Sequence, residues 1–327
     1  MKLFLSLASL LAILAIGCGP SAEKTTTPSD GTFKVALLTP GPVSDAGWSA
    51  MAFDGLTSIK SELGAEVSNQ EATGTKIPEA MRSYARQGYK LIFGHGYEYN
   101  EPAMKVAADF PDTVFVSSSG ASTSSNVGAF RFYLEQGFYI AGYMGAKMSN
   151  TRVVGMIGGD DVPSIRSTFK AFKAGAEAAV PDVRVVEIFT GNGQDQAAAK
   201  KAALSAIDQG ADVLIHQANS AARGVFQACE EKGVYAFGAN LDQNAESPQI
   251  LASAVIVAKP AFLALAKSVK DGSYKGGIAL KGMADGAIEF KINPKLEAKI
   301  PPDVMKQVVE IAAQIKAGKL TVPKDEF

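Results

Sequence analysis

Two stretches far apart in this chain carry the same structural instruction. Met81-Arg-Ser-Tyr-Ala-Arg-Gln-Gly-Tyr-Lys-Leu-Ile-Phe93 and Leu204-Ser-Ala-Ile-Asp-Gln-Gly-Ala-Asp-Val-Leu-Ile215 each read as a helix closing at Gln-Gly, then a buried strand. The glycine supplies a left-handed cap that ends the helix. Around both, short runs of Val, Ile and Leu alternate with longer stretches of helical apolar period, the pattern of parallel strands joined by crossover helices. The first series predicts strands at 33–39, 66–69, 90–94, 114–117 and 128–132, with helices from near Trp48, Ile77 and Glu101. The second predicts strands at 153–157, 184–189, 212–216 and 235–238, with helices near Ser164, Asp195 and Ala221.

The repetition predicts an α/β fold of two doubly wound parallel-sheet lobes. Thr39-Pro-Gly-Pro-Val-Ser-Asp-Ala-Gly-Trp48 and Gly158-Gly-Asp-Asp-Val-Pro163 take equivalent places, each a loop after a first strand and before a long helix. A helix over 135–148 opens the second lobe. A strand over 251–256 and a helix over 260–270 are expected to return the chain to the first, leaving 286–290 and 302–317 as a closing strand and helix. The expected spans are 32–128 with 252–290 for one lobe and 129–251 with 291–327 for the other. Open α/β sheets bind ligands beyond the carboxyl ends of their strands, so the expected site is the cleft between lobes. Several chain crossings between lobes make a hinge and favour capture by closure.

The N-terminus adds an address. Met1-Lys2-Leu3 leads into an apolar run ending in Ala15-Ile16-Gly17-Cys18-Gly19, which reads as a secretory signal over 1–17. Cys18 is then the lipid acceptor of a lipoprotein and 18–31, rich in Ser, Thr and Pro, a flexible tether. A plain cleaved signal or a single-span anchor are the alternatives. The expected location is the outer face of a membrane, periplasmic or extracellular, with a monomeric body. With Cys18 acylated, Cys229 is the one remaining thiol of the 327-residue chain, so no internal disulfide forms. Lys and Arg total 32 against 33 Asp and Glu, without a long basic block, which argues against nucleic acid as a partner.

Catalytic signatures are missing: the sequence holds no G-x-S-x-G, Walker loop, G-x-G-x-x-G or H-E-x-x-H. His95 and His216 fall at predicted strand ends without an acidic or thiol cluster, so neither a metal nor another cofactor is expected. In the loop after the first strand, Asp45 and Trp48 admit two readings. Asp45 is either a helix cap or an acceptor for ligand N–H groups, and Trp48 either core or a plate for a planar ligand.

These segments resemble the basic membrane protein (BMP, Med or PnrA-like) family of substrate-binding lipoproteins serving ABC importers. The resemblance runs through Ser44-Asp45-Ala-Gly-Trp48-Ser49, Gly137-Phe-Tyr-Ile-Ala-Gly142, Gln194-Asp195, Ile207-Asp-Gln-Gly-Ala-Asp-Val213 and Gly238-Ala-Asn-Leu-Asp-Gln243. It implies a type I periplasmic-binding-protein fold, a purine nucleoside or purine base as ligand and an ABC permease as partner. It also implies a set of ligand-binding residues: Asp45, Trp48 and Ser49; His95, Gly96 and Tyr97; Phe132; Phe169, for which core packing is the alternative; and Asn219, Asn240 and Asp242. Two positions depart from the nucleoside-binding pattern. Asn240 stands where such members carry the Asp that receives ribose hydroxyls, and Ile256 where they carry a Lys. Gly193 stands where many have an aromatic. Loss of both charges weakens a ribose clamp and favours a free base or another small planar solute. A sensor presenting its closed state to a membrane receptor, and an exported enzyme using Asp45 with His95, are the rival readings.

Overall fold

A computed structural model describes residues 31–45 and 47–326. The expectations for the signal, Cys18 and the tether up to residue 30 lie outside the described residues. From Phe33 onward the chain forms one compact unit.

The first lobe contains β1 (Lys34–Thr39), α1 (Trp48–Leu63), β2 (Glu66–Glu71), α2 (Lys76–Arg86), β3 (Leu91–Gly94), α3 (Asn100–Ala107), β4 (Val114–Ser118) and β5 (Val127–Phe132). The second contains α4 (Glu135–Met148), β6 (Val153–Gly158), α5 (Pro163–Ala179), β7 (Arg184–Phe189), α6 (Gln196–Asp208), β8 (Val213–Gln217), α7 (Ala222–Lys232), β9 (Tyr235–Asn240) and β10 (Ile250–Ile256). Then come α8 (Ala258–Lys270), β11 (Ile278–Lys281), β12 (Ile288–Ile292) and α9 (Pro302–Lys316). The sheet orders are β11-β5-β4-β3-β1-β2 and β12-β10-β9-β8-β6-β7. The two lobes are thus built on one plan. The paired Gln-Gly signals hold: Gly88 and Gly210 have φ of 82° and 100°, ending α2 and α6 before buried strands.

The return of the chain differs from expectation. Residues 250–256 stay in the second sheet, where β10 pairs parallel with β9, and they occupy the place that β5 has in the first. All seven of these residues are buried, so the run needs cover on both faces and finds it beside β9 before crossing. The crossing comes one step later. Phe262 of α8 stacks on Phe93 with ring centroids 4.5 Å apart and meets Phe130 edge-on at 5.1 Å, which seats α8 on the first lobe. The short strand β11, which sequence periodicity does not reveal, extends the first sheet beside β5. The closing strand β12, expected in the first lobe, instead runs antiparallel to β10. The first crossing likewise follows Phe132 rather than residue 128, since β5 pairs with β4 along the first sheet.

Three crossings therefore join the lobes, near 133–134, 257 and 282–287. They lie side by side: Tyr133 N donates to Lys281 O at 2.8 Å and Val257 N to Ala287 O at 2.9 Å. Within the second lobe, α4 and α5 touch through glycines. A Cβ added at Gly142 would lie 1.9 Å from the Phe172 carbonyl oxygen, and one at Gly175 would lie 2.0 Å from that of Tyr139. Only a missing side chain permits that approach.

Candidate functional site

Because both sheets are built alike and parallel except for the edge strand β12, the carboxyl ends of their parallel strands face a common space, and a cavity of about 510 Å³ opens there. The first lobe contributes Pro40 after β1, Gly96, Tyr97 and Glu98 after β3, Ser118 and Ser119 from the end of β4, and Phe130, Arg131 and Phe132 of β5. The second contributes Asp160 after β6, Asn192 and Gln194 after β7, Gln217 and Asn219 at the end of β8, and Ile256 of β10. Three non-glycine residues at these strand ends, Ser119, Asn219 and Asn240, have φ of 93°, 41° and 69°. Such conformations cost about 1–3 kcal/mol each and persist where surrounding structure imposes them.

Trp48 lines the cavity from the first turn of α1, and its placement is over-determined. Its indole stacks on His95 with centroids 3.9 Å apart and planes 20° from parallel. The indole N–H donates to the His95 carbonyl at 3.0 Å, while His95 Nε2 lies 2.9 Å from the Trp48 carbonyl. That carbonyl accepts only, so Nε2 carries the proton and Nδ1 accepts from the Ser118 hydroxyl at 2.6 Å. Burial holds His95 neutral, depressing its pKa to about 3, against a smaller opposing effect of the bond to Trp48. The result is a half-buried aromatic plate with one face on imidazole and its remaining surface on the cavity.

Asp45 has the capping role. Its Oδ1 accepts from Gly47 N and Ala50 N and its Oδ2 from Ser49 N, all at 2.9 Å, so the carboxylate caps the amides at the start of α1. Neither Asp45 nor Ser49 lines the cavity; both are buried behind it and fix where Trp48 emerges.

The other candidates divide. Gly96, Tyr97, Phe132 and Asn219 line the cavity with Trp48. His95 supports Trp48 from behind. Phe169 is 1 % exposed and packs between Phe138 and Phe189, outside the wall. Asp242 is exposed at a separate surface, 3.9 Å from Lys291. Asn240 is buried one layer back, where its amide donates to Gln217 Oε1 at 3.1 Å. Its Oδ1 has no hydrogen-bond partner. Gly193 leaves no spare room: a Cβ there would lie 3.1 Å from both Asn219 Nδ2 and Asp160 Oδ2.

Sequence reasoning missed the charged part of the wall. Arg131 and Glu135, 6 % and 1 % exposed, form an ion pair at the base of the cavity. Glu98 and Asp160 enter from opposite lobes. Desolvation raises the Glu98 carboxyl above its usual range, against a smaller lowering by a bond to its own backbone, and the Asp160 charge adds to the rise. The available signal was positional, since each of these lies at or just beyond a strand end or crossing. Around them Phe130, Phe132, Leu134, Val162, Ile165 and Ile256 make an apolar surface.

The lips of the cleft meet on one side. A Cβ on Gly41 of the first lobe would lie 3.2 Å from Gln194 Nε2 of the second, and one on Gly47 would lie 3.5 Å from Asn219 Cα. Gln194 is in turn tethered by the Ser220 hydroxyl at 2.5 Å. Such a site can enclose a small planar molecule between an aromatic plate and an apolar wall.

A family model described as ABC transporter substrate-binding protein PnrA-like matches residues 32–326. A purine-binding protein of Brucella abortus is 32 % identical over 292 residues, 88 % of this chain and 82 % of its own. The transcriptional activator protein Med of Bacillus subtilis is 28 % identical over 97 % of both chains. Among solved structures, a solute-binding protein of an ABC transporter system from Aeropyrum pernix aligns with a TM-score of 0.79 at 22 % identity, covering 90 % of this chain and 94 % of that one. Its likeness is one of fold.

Proposed function

The chain belongs to the family of PnrA-like substrate-binding proteins of ABC transporters, and from that premise we propose that it captures a neutral, unphosphorylated purine by lobe closure and delivers it to a permease. The observation that carries this reading is the pinned Trp48 plate facing an apolar wall that includes Ile256. Stacking of a base on an aromatic is worth about 1–3 kcal/mol. The similarity to a purine-binding protein supports the ligand class.

The charges of the wall support the absence of phosphate. Glu98, Glu135 and Asp160 stand against Arg131, which among the described lining residues is the one cation and is already paired with Glu135. A phosphate would meet excess negative charge in this cleft. With Ile256 in the wall and Asn240 a layer behind it, no charged group stands at either of the two departing positions, which favours a free base over its nucleoside.

The N-terminal sequence supports an acylated Cys18 that holds the binder beside its permease, where a flexible linker raises effective concentration. Fatty-acid labelling of the full chain that survives Cys18→Ala would remove this part of the proposal.

Thermal-shift measurement with purine bases, their nucleosides and their 5′-monophosphates tests the ligand. A ligand at one hundred times its dissociation constant adds about 2.7 kcal/mol to stability. Bases should raise the melting temperature most and monophosphates should leave it unchanged. Trp48→Ala should weaken base binding by about 5- to 150-fold, the equivalent of the lost stacking. A melting temperature raised by a sugar or amino acid and by no purine sinks the assignment.

A further inference from the structure

After α9 the chain does not simply stop on the second lobe. Gly318, at φ 68°, turns it back, and Leu320 N bonds to Gln314 O at 3.2 Å. The following residues run along the first crossing. Val322 is 1 % exposed, and its carbonyl accepts from the Tyr133 hydroxyl in the crossing itself.

Asp325 then bonds to both lobes. Its carbonyl accepts from Arg131 Nη1, near the end of β5 in the first sheet. Its N–H donates to Ser167 Oγ at 2.9 Å, and its carboxylate lies 2.6 Å from Lys170 Nζ, both on α5 of the second lobe. The contact reaches the ligand space, because Arg131 pairs with Glu135 across the crossing and both line the cavity. Ser167 joins the parts: it donates to Glu135 Oε1 at 2.5 Å and lies 3.2 Å from Arg131 Nη2. A rotation of one lobe about residues 133–134 must either carry this set intact or break bonds within it.

We propose that residues 322–326 are a hinge strap, with Asp325 and Ser167 as positioning residues that set the resting opening of the lobes through the Arg131–Glu135 pair. The strap is a second-lobe segment that grips the end of a first-lobe strand, so it restrains the one degree of freedom that closure uses. It couples to binding because a ligand seated against Arg131 and Glu135 rests on the same pair that the strap holds. The proposal rests on capture by lobe closure but not on the identity of the ligand.

The test is made without ligand on the compact unit that begins at Phe33. Spin labels at Lys105→Cys on α3 and Lys201→Cys on α6 report the distance between lobes, and the buried Cys229 thiol stays unlabelled. Truncation after Val322 should broaden the distance distribution and shift its mean, with amide-exchange protection unchanged in the strands of each sheet. Ser167→Ala in the full-length unit should move the distribution the same way by a smaller amount. It carries the test alone if the truncated protein does not fold. An unchanged distribution in a folded truncation, or in Ser167→Ala where only that variant folds, overturns the proposal. Because no purine is added, a wrong ligand assignment leaves the result intact.

Discussion

His95 shows how a single side chain can fix the wall of a candidate site that it does not line. Its ring backs the Trp48 plate, its proton fixes the Trp48 carbonyl, and its carbonyl receives the indole N–H. Burial keeps the imidazole neutral, which leaves Nδ1 able to accept from the Ser118 hydroxyl. The folded pKa, about 3, lies below the ordinary value of 6.5, so between these values the unfolded chain binds a proton that the folded chain does not. Stability contributed by the neutral ring is whole above pH 6.5 and is lost as pH falls toward 3, at about 1.4 kcal/mol per pH unit within that window. His216, held neutral by burial at about 4, adds a second loss between 6.5 and 4. Chemical denaturation of wild type and His95→Gln from pH 7 to pH 4 should therefore give a shallower slope for the variant, by one proton's worth. Equal slopes would mean that His95 is protonated in the fold. At this scale the sequence was half legible: Asp45 and Trp48 stood out by type and place. Whether Asp45 would cap α1 or face a ligand, and whether Trp48 would sit in the core or line a cavity, depended on tertiary contacts such as those of His95 that no local signal carries.

Elements were easier to read than single residues, because hydrophobic period and Gln-Gly caps are local signals. The helix over 135–148 and the five strands before it were legible in this way, and the structure places them close to the expected bounds. What period cannot give is partnership. The run 250–256 is buried throughout and apolar except for Ser253, so its period would suit either sheet; its place beside β9 is a tertiary outcome. β11 is four residues of mostly exposed edge strand with no buried face to leave a pattern. Helix contact is the other quantity hidden from period, and Gly142 makes it testable. An added methyl 1.9 Å from the Phe172 carbonyl cannot be absorbed by a side-chain rotation, so α4 and α5 must move apart. Overpacking costs about 1–3 kcal/mol, against roughly 1 kcal/mol gained from the better helix propensity of alanine. Since the clash is with backbone, the upper part of that range applies. Gly142→Ala should lower the unfolding free energy by about 2 kcal/mol in a urea titration, and a stabilised variant would show that the helices do not pack this closely.

From Phe33 onward the chain is a pair of like lobes, and on the proposed capture by closure the lips of the cleft set how near those lobes can come. Gly41 belongs to the loop after β1, which the sequence aligned with 158–163 in the other lobe, and it faces Gln194 across the opening. Gln194 is not free to swing aside without losing the Ser220 hydroxyl. A leucine at residue 41 would therefore act as a wedge, and the closed state would have to displace a tethered amide to accommodate it. A ligand can shift the open–closed equilibrium only by its differential affinity for the two states, so any free energy spent on that displacement is subtracted from binding. Gly41→Leu should weaken ligand binding by about tenfold, equivalent to 1.4 kcal/mol, with the melting temperature of the ligand-free protein little changed. Gln194→Ala removes the obstructed partner, and the double variant Gly41→Leu with Gln194→Ala should recover most of the lost affinity. Calorimetric titration of the four proteins with the purine base that raises the melting temperature most would measure the coupling directly. Additive effects in that cycle would place the limit of closure elsewhere than at these lips, and the cavity would then close without bringing Gly41 and Gln194 together.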